Sequence, residues 1–167
     1  MRSWIIPIII IVVCALSGFG YLLYAAVSEP LSERQEKALD IAYSETNLTD
    51  VINIDYYHGR RSFQVIEGID DAENEIYVWI EELDEEDEEA EPQIFTRLKE
   101  DGLTKQEVRS IVSSRLNISE LKSIKLGIIG STPVYEVTYS DQVNRHSFYY
   151  ITFEEGTYIR HYQFRES

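Results

Sequence analysis

Residues Trp4–Val27 form a run of 24 positions without one charged side chain. Such a run is incompatible with a water-soluble core of this size and long enough for another solvent. At a rise of about 1.5 Å per residue, about 20 apolar residues cross the hydrocarbon layer of a bilayer. Pro7 falls in the first turn, where a missing N–H does little harm. A cleaved secretory signal has an apolar stretch of about 7–15 residues. Ala26-Val27-Ser28 is a passable cleavage site, but the run before it is too long and Pro30 follows closely. The run is therefore read as an uncleaved transmembrane anchor. Cys14 follows Val13 where a lipoprotein signal needs a small residue, so it is read as a thiol within the span.

Flanking charge sets the orientation. Arg2 and the α-amino group precede the span, and Glu29 and Glu33 follow it, with Arg34 next. Positive charge is retained on the cytoplasmic side. A single-pass protein of the cell membrane is expected, with a cytoplasmic N-terminus and an extracytoplasmic remainder. Cys14 is the one cysteine, so the part after the span has no disulfide. Small domains in oxidising compartments often depend on disulfides. Their absence fits a Gram-positive bacterial surface better than eukaryotic secretion. The sequons Asn47-Leu48-Thr49 and Asn117-Ile118-Ser119 are then chance matches.

Setting Arg2 aside leaves 14 of the 15 basic side chains against 30 acidic ones, a formal charge of −16 after the span. Such a field repels nucleic acid, anionic wall polymer and lipid head groups. A protein partner with a basic or mixed face fits better.

After Pro30, Ser32-Glu33-Arg34-Gln35 has the form of a capping box, and Ala38, Ile41 and Ala42 make an apolar stripe. A helix is expected over 32–46. Strands follow at Asp50–Tyr57, with Ile52, Ile54 and Tyr56 on one side, and at Ser62–Glu67, Glu75–Glu82 and Ile94–Lys99. His58-Gly59-Arg60-Arg61 and Gly68–Asn74 supply turns. Glu81–Glu91 is an acidic run expected to be a solvated loop, with loose cation binding as the functional rival.

The order then repeats. Thr104-Lys105-Gln106-Glu107 is a second capping box, and Val108, Ile111, Val112 and Leu116 share one helical face. Strands are expected at Leu121–Ile129, Val134–Tyr139, Ser147–Phe153 and Thr157–Phe164. Ile76–Ile80 matches Tyr149–Phe153 in character. The fold class is α+β: an anchor over 1–28, then two tandem units over 29–99 and 100–167, each a helix packed on an antiparallel sheet.

Residues that carry chemistry are scarce. His58, His146 and His161 share no metal-ligand spacing and have no cysteine to join them. No nucleophile-elbow motif supports a Ser-His-Asp site. Asp70-Asp71-Ala72-Glu73-Asn74-Glu75 lacks the Gly and the distant Glu of a calcium loop. Gln64-Val65-Ile66-Glu67-Gly68 resembles the Gln-x-Val-x-Gly hairpin of cystatin protease inhibitors, without the tryptophan-bearing second loop. No catalytic residue, cofactor or metal is assigned. Alternation along β-like Ile76–Ile80 puts Tyr77 and Trp79 opposite the aliphatic face. Those two rings are the candidate partner-binding residues, with packing between the two units as the rival reading.

Several segments resemble one family. Ile76-Tyr77-Val78-Trp79-Ile80, Asp101-Gly102-Leu103-Thr104-Lys105-Gln106-Glu107, Glu136-Val137-Thr138-Tyr139 and Tyr149-Tyr150-Ile151-Thr152-Phe153 with Gly156 stand in the order of the TseB-like (YpmB) cell-wall elongation regulators. The resemblance covers nearly the whole chain, and the second unit is similar to a PepSY domain. It implies cystatin-like units, no catalysis, and association with a class B penicillin-binding protein during elongation. The alternative it invites is a PepSY-type modulator or inhibitor of an extracellular peptidase. The acidic stretch Glu81–Glu91 departs from the family pattern.

Overall fold

The computed structural model of the 167-residue chain describes residues 33–83 and 90–165. The candidate span Trp4–Val27, Ser32 of the first capping box and residues 84–89 of the acidic run lie outside the described residues. Among the described residues no helix is long and apolar enough to cross a membrane. The chain divides into two units, Met1–Lys37 and Ala38–Ser167. Of the first, residues 33–37 are described; they begin helix α1, which runs over 33–45.

Strands β1 (Leu48–His58), β2 (Ser62–Asp70), β3 (Glu75–Glu82) and β4 (Ile94–Leu98) form an antiparallel sheet in that order. A 3₁₀ turn, Lys99–Asp101, leads to helix α2 (Lys105–Arg115). Strands β5 (Ile118–Ile129), β6 (Thr132–Asp141), β7 (Arg145–Thr152) and β8 (Tyr158–Arg165) form a second antiparallel sheet, again in chain order. The α+β expectation holds as two four-stranded antiparallel sheets with a helix ahead of each.

β3 shows why these segments are strands. Ile76-Tyr77-Val78-Trp79-Ile80 is wholly β-branched or aromatic, and all five are buried. That requires cover on both faces. Ile76, Val78 and Ile80, with Ile66 of β2 and Leu48 of β1, pack against Ala38 and Ala42 of α1. The two small residues, one turn apart, let the helix come close to the sheet. Each buried Ile or Val is worth about 1.5–3 kcal/mol. The opposite face belongs to an aromatic cluster in which Phe63, Val65, Tyr77 and Trp79 join Val108 and Val112 of α2 and residues of β5 to β7.

α2 begins as expected. Thr104 Oγ1 accepts the Glu107 N–H at 3.2 Å, and Glu107 Oε2 accepts the Thr104 N–H at 2.8 Å. These bonds favour the charged carboxylate and hold Glu107 below its ordinary pKa.

β1 departs from simple alternation. Register shifts between Leu48 and Asp50 and between Val51 and Asn53 each slip in an extra residue. The inward set becomes Leu48, Val51 and Ile54, at a spacing of three. Ile52, expected beside Ile54 and Tyr56, is turned out with 53% of its surface exposed.

The second half repeats these details with different residues. Ala38 and Ala42 face their core; 70 positions later Val108 and Val112 face theirs. The shifts in β1 recur in β5 between Ile118 and Glu120 and between Leu121 and Ser123, also 70 positions on. Both central hairpins close on an aspartate. Asp70 Oδ1 accepts the N–H groups of Ala72 (2.9 Å) and Asn74 (2.8 Å). Asp141 Oδ1 accepts those of Val143 (3.0 Å) and Arg145 (2.9 Å). The residue before the second donor is left-handed in each, Glu73 at φ 65° and Asn144 at φ 57°. Across these hairpins the offset is 71: Ile66 faces Val78 as Val137 faces Tyr149. Ile76–Ile80 thus corresponds to Ser147–Ile151, two positions before the Tyr149–Phe153 match expected from residue character.

Candidate partner-binding surfaces

Tyr77 and Trp79, the rings expected to meet a partner, are 8% and 0% exposed. They meet Phe153, which follows β7. Its ring stands edge-on to Tyr77 (5.9 Å, 89°) and Trp79 (6.0 Å, 79°), with Tyr135 5.9 Å away on the third side. Such pairs add about 0.5–1.5 kcal/mol beyond area burial. Below the ring is Gly102, where a Cβ would stand 1.9 Å from Phe153 Cζ. The backbone pins the ring's position. Phe153 N–H donates to Pro133 O at 3.0 Å, and Leu103 N–H donates to Phe153 O at 2.9 Å. Tyr135 Oη donates to Leu103 O. Burial pushes the Tyr135 and Tyr77 hydroxyls up from their ordinary pKa, so both remain neutral. The junction is interior packing; neither ring offers a surface.

The acidic run begins inside the fold. Glu81 and Glu82 are the last residues of β3 rather than the start of a loop. Glu81 is buried and accepts from Arg61 Nη1 at 2.9 Å and from the Gln93 N–H at 3.1 Å. Arg61 Nη2 also donates to Gly130 O at 3.1 Å, tying the β1–β2 turn to the β5–β6 turn. Glu82 accepts from the buried Gln64 amide at 2.6 Å. Lys99 Nζ donates to Glu67 at 2.7 Å and to Glu75, and those two bonds raise its pKa.

The histidines are scattered. His58 Nδ1 lies 2.8 Å from Ser62 Oγ on the exposed first hairpin, with no carboxylate bonded to it among the described residues. His146 Nδ1 accepts from Lys122 Nζ at 3.2 Å. His161 Nε2 lies 2.9 Å from Tyr139 Oη, stacked on that ring, and burial lowers its pKa. Among the described residues no group of three or more His, Cys, Asp or Glu is placed to hold a metal ion. The Asp70 loop spends its carboxylate on its own backbone, so it is a turn. Gln64, Val65 and Ile66 are buried in the middle of β2, so the cystatin-like match presents no inhibitory hairpin. An open cleft of about 320 Å³ is lined by Arg97, Ser131, Thr132, Pro133, Glu154 and Glu155.

Exposed apolar surface is concentrated on β8. Tyr158, Tyr162 and Phe164 are 54%, 45% and 57% exposed. Phe164 stands edge-on to Phe148 of β7 at 6.2 Å, and Tyr162 to Tyr150 at 6.2 Å. Arg160 lies over Tyr150 and Tyr162, 4.7 and 5.3 Å from their centroids. Alternation on β8 did carry this signal, but Tyr and Phe in a strand read alike whether covered or open. Large amphipathic rings held on a rigid sheet, with cations beside them, suit protein contacts rather than bond-making chemistry.

Residues 37–81, from within α1 to the end of β3, match the family model described as the cell wall elongation regulator TseB-like domain. Over those residues the chain is similar to the TseB-like family. The probable cell wall elongation regulator TseB of Bacillus subtilis (strain 168) is 25% identical over 138 residues, which are 83% of this chain and 82% of that protein. A solved structure, the YpmB protein from Bacillus subtilis, superposes with a TM-score of 0.68 at 25% identity, over 77% of this chain and 95% of that one. Both matches extend well past the TseB-like domain, so the likeness to these relatives includes much of the second sheet.

Proposed function

We propose that this chain is a non-catalytic regulator of cell-wall elongation, anchored in the cell membrane by Trp4–Val27, which displays its two units, 29–99 and 100–167, outside the cell and binds a class B penicillin-binding protein. The observation that carries the reading is the match to a probable cell wall elongation regulator over most of both chains. The uncharged N-terminal run and its flanking charges support the anchor. The scattered histidines and the self-satisfied Asp70 loop support a binding rather than an enzymatic role. Confinement to a membrane raises effective concentration, so a modest interface on the second sheet suffices.

Cross-linking of the full-length chain in its own cells, followed by affinity purification under denaturing conditions, tests this. A wall-synthesis transpeptidase in the cross-linked product is expected. Its absence, together with normal cell width and length on deletion of the gene, would refute the proposal.

A further inference from the structure

The internal repeat says what the second sheet's open face corresponds to. With the offset of 71 across the central hairpins, Tyr77 and Trp79 of β3 correspond to Phe148 and Tyr150 of β7. On the first sheet that face is roofed by Phe153. On the second it continues through Tyr162 and Phe164 and ends in solvent. The second sheet thus carries, at the positions that make an interface on the first, rings that lead out to an exposed surface.

The sheet edges point the same way. β1 and β5 each carry two register shifts, and β4 has five residues. Irregularity and shortness are the usual guards against strand addition. β8 has eight residues, its one shift lies near its start, and it contains no proline, lysine or acidic residue. Among the described residues no strand pairs with its outer side. Charge then selects the occupant. β8 carries Arg160 and Arg165, in a chain of net charge −15. The carboxylates on the face of Arg160 are Glu120 and Glu136, and Glu136 accepts from Tyr150 Oη at 2.8 Å; Arg165, on the opposite face, stands across from Arg145, which holds Asp141. Neither Arg160 nor Arg165 forms an ion pair among the described residues. A second copy pairing through β8 would set arginines among arginines. With screening over about 8 Å at physiological salt, the local cations rather than the distant acidic surface govern what docks here.

We propose that the outer edge of β8, with the aromatic face behind it, receives an extended segment of a partner protein, bearing aliphatic side chains beside Tyr162 and Phe164 and carboxylates beside Arg160 and Arg165. Main-chain hydrogen bonds supply affinity in this mode, and the alternating side chains supply specificity. The inference rests on the reading of the chain as a binding protein and names the surface used.

The test uses the full-length chain in its own cells, with a photoreactive benzoylphenylalanine in place of Phe164 and, as a control on the other sheet, in place of Ile52. Cross-linked peptides are then sequenced. The expected product joins position 164, and not position 52, to an acidic segment of another protein. Gln163→Glu together with Arg165→Glu, two exposed positions, should lower its yield on the order of tenfold. Unchanged circular dichroism shows that this variant is folded. A cross-link from 164 solely to a second copy, to lipid or to wall glycan overturns the proposal, as does a yield indifferent to the two glutamates. If a wall-synthesis enzyme co-purifies while position 164 captures nothing, this surface is wrong and the regulatory reading stands. If 164 captures an acidic segment of a protein outside wall synthesis, the surface stands and the regulatory reading falls. Capture of nothing by either route counts against both.

Discussion

Gly102 and Phe153 should be coupled more tightly than either is to the rest of the fold. A methyl at position 102 would lie 1.9–2.4 Å from three atoms of the Phe153 ring, a separation real atoms do not occupy. The backbone there has φ −109° and ψ 162°, which alanine adopts freely. The cost of Gly102→Ala is therefore steric: displacement of a ring wedged between Tyr77, Trp79 and Tyr135, about 1–3 kcal/mol. Phe153→Ala removes the ring and leaves a void among the same aromatics, costing about 3–5 kcal/mol. In the double variant the methyl enters the void. Adding Gly102→Ala to the Phe153→Ala background should then be neutral or favourable by about 0.4–1 kcal/mol, because alanine restricts the unfolded chain. The cycle should show an interaction of about 1–4 kcal/mol. Urea unfolding of the purified full-length chain, followed by tryptophan emission, measures all four corners. The chain has two tryptophans, and in a Trp4→Phe background the signal comes from Trp79 beside the altered site. If Gly102→Ala costs the same in both backgrounds, within about 0.5 kcal/mol, Phe153 does not lie on Gly102 and the account of the junction is wrong.

Arg61→Ala strands the buried Glu81 carboxylate and frees the β5–β6 turn; a loss of about 1–3 kcal/mol in the same unfolding assay is expected, with Arg61→Lys recovering part of it. His161 has a folded pKa below its ordinary 6.5, chiefly through burial, so the unfolded chain takes up the proton first. Stability should fall as pH drops from about 6.5 through the folded value, and His161→Gln should flatten that part of a thermal-melt profile. Asp70 and Asp141 are held below 3.8, the former first by the Asn74 side chain and the latter first by the Arg145 N–H. Their contribution is complete above 3.8 and is lost as pH falls through the folded values. In melts across the acid range, Asp70→Asn should remove part of that loss without touching the segment near pH 6.

Much of this architecture is legible in the residues. The eight strands and both helices follow from alternation, β-branched content and helical stripes, and the Thr104–Glu107 box forms bond for bond. What alternation misreads is what breaks alternation. Two extra residues in β1 turn Ile52 outward, and nothing in Asp50–Tyr57 marks where they enter, because a register shift is fixed by the partner strand. Glu81 looks like the first of a solvated acidic run, yet it is a buried partner of Arg61, 20 positions earlier. Tyr77 and Trp79 divide correctly from Ile76, Val78 and Ile80, but strand pattern cannot say which apolar face meets another sheet and which meets solvent. The same limit concealed Tyr162 and Phe164. Whether a ring is covered is decided by chain that lies far off in sequence.

The two aspartate-closed hairpins bear on the order in which this molecule assembles. Each carboxylate bonds backbone two and four residues ahead, so strand alignment in β2–β3 and in β6–β7 is set over a few residues, before any long loop must close. Each hairpin then serves as a seed onto which β1 and β4, or β5 and β8, add at the sides. Folding should thus start at two equivalent places, with the Phe153 junction sealed late. Kinetic measurements on Asp70→Ala, Asp141→Ala and Phe153→Leu distinguish this from a single start: the aspartates should slow folding, while the ring change should mainly speed unfolding. A chain with two seeds and one late seam has a natural partly folded form, both sheets made and their aromatic faces still apart, and β8 stands open in that form as it does in the finished one.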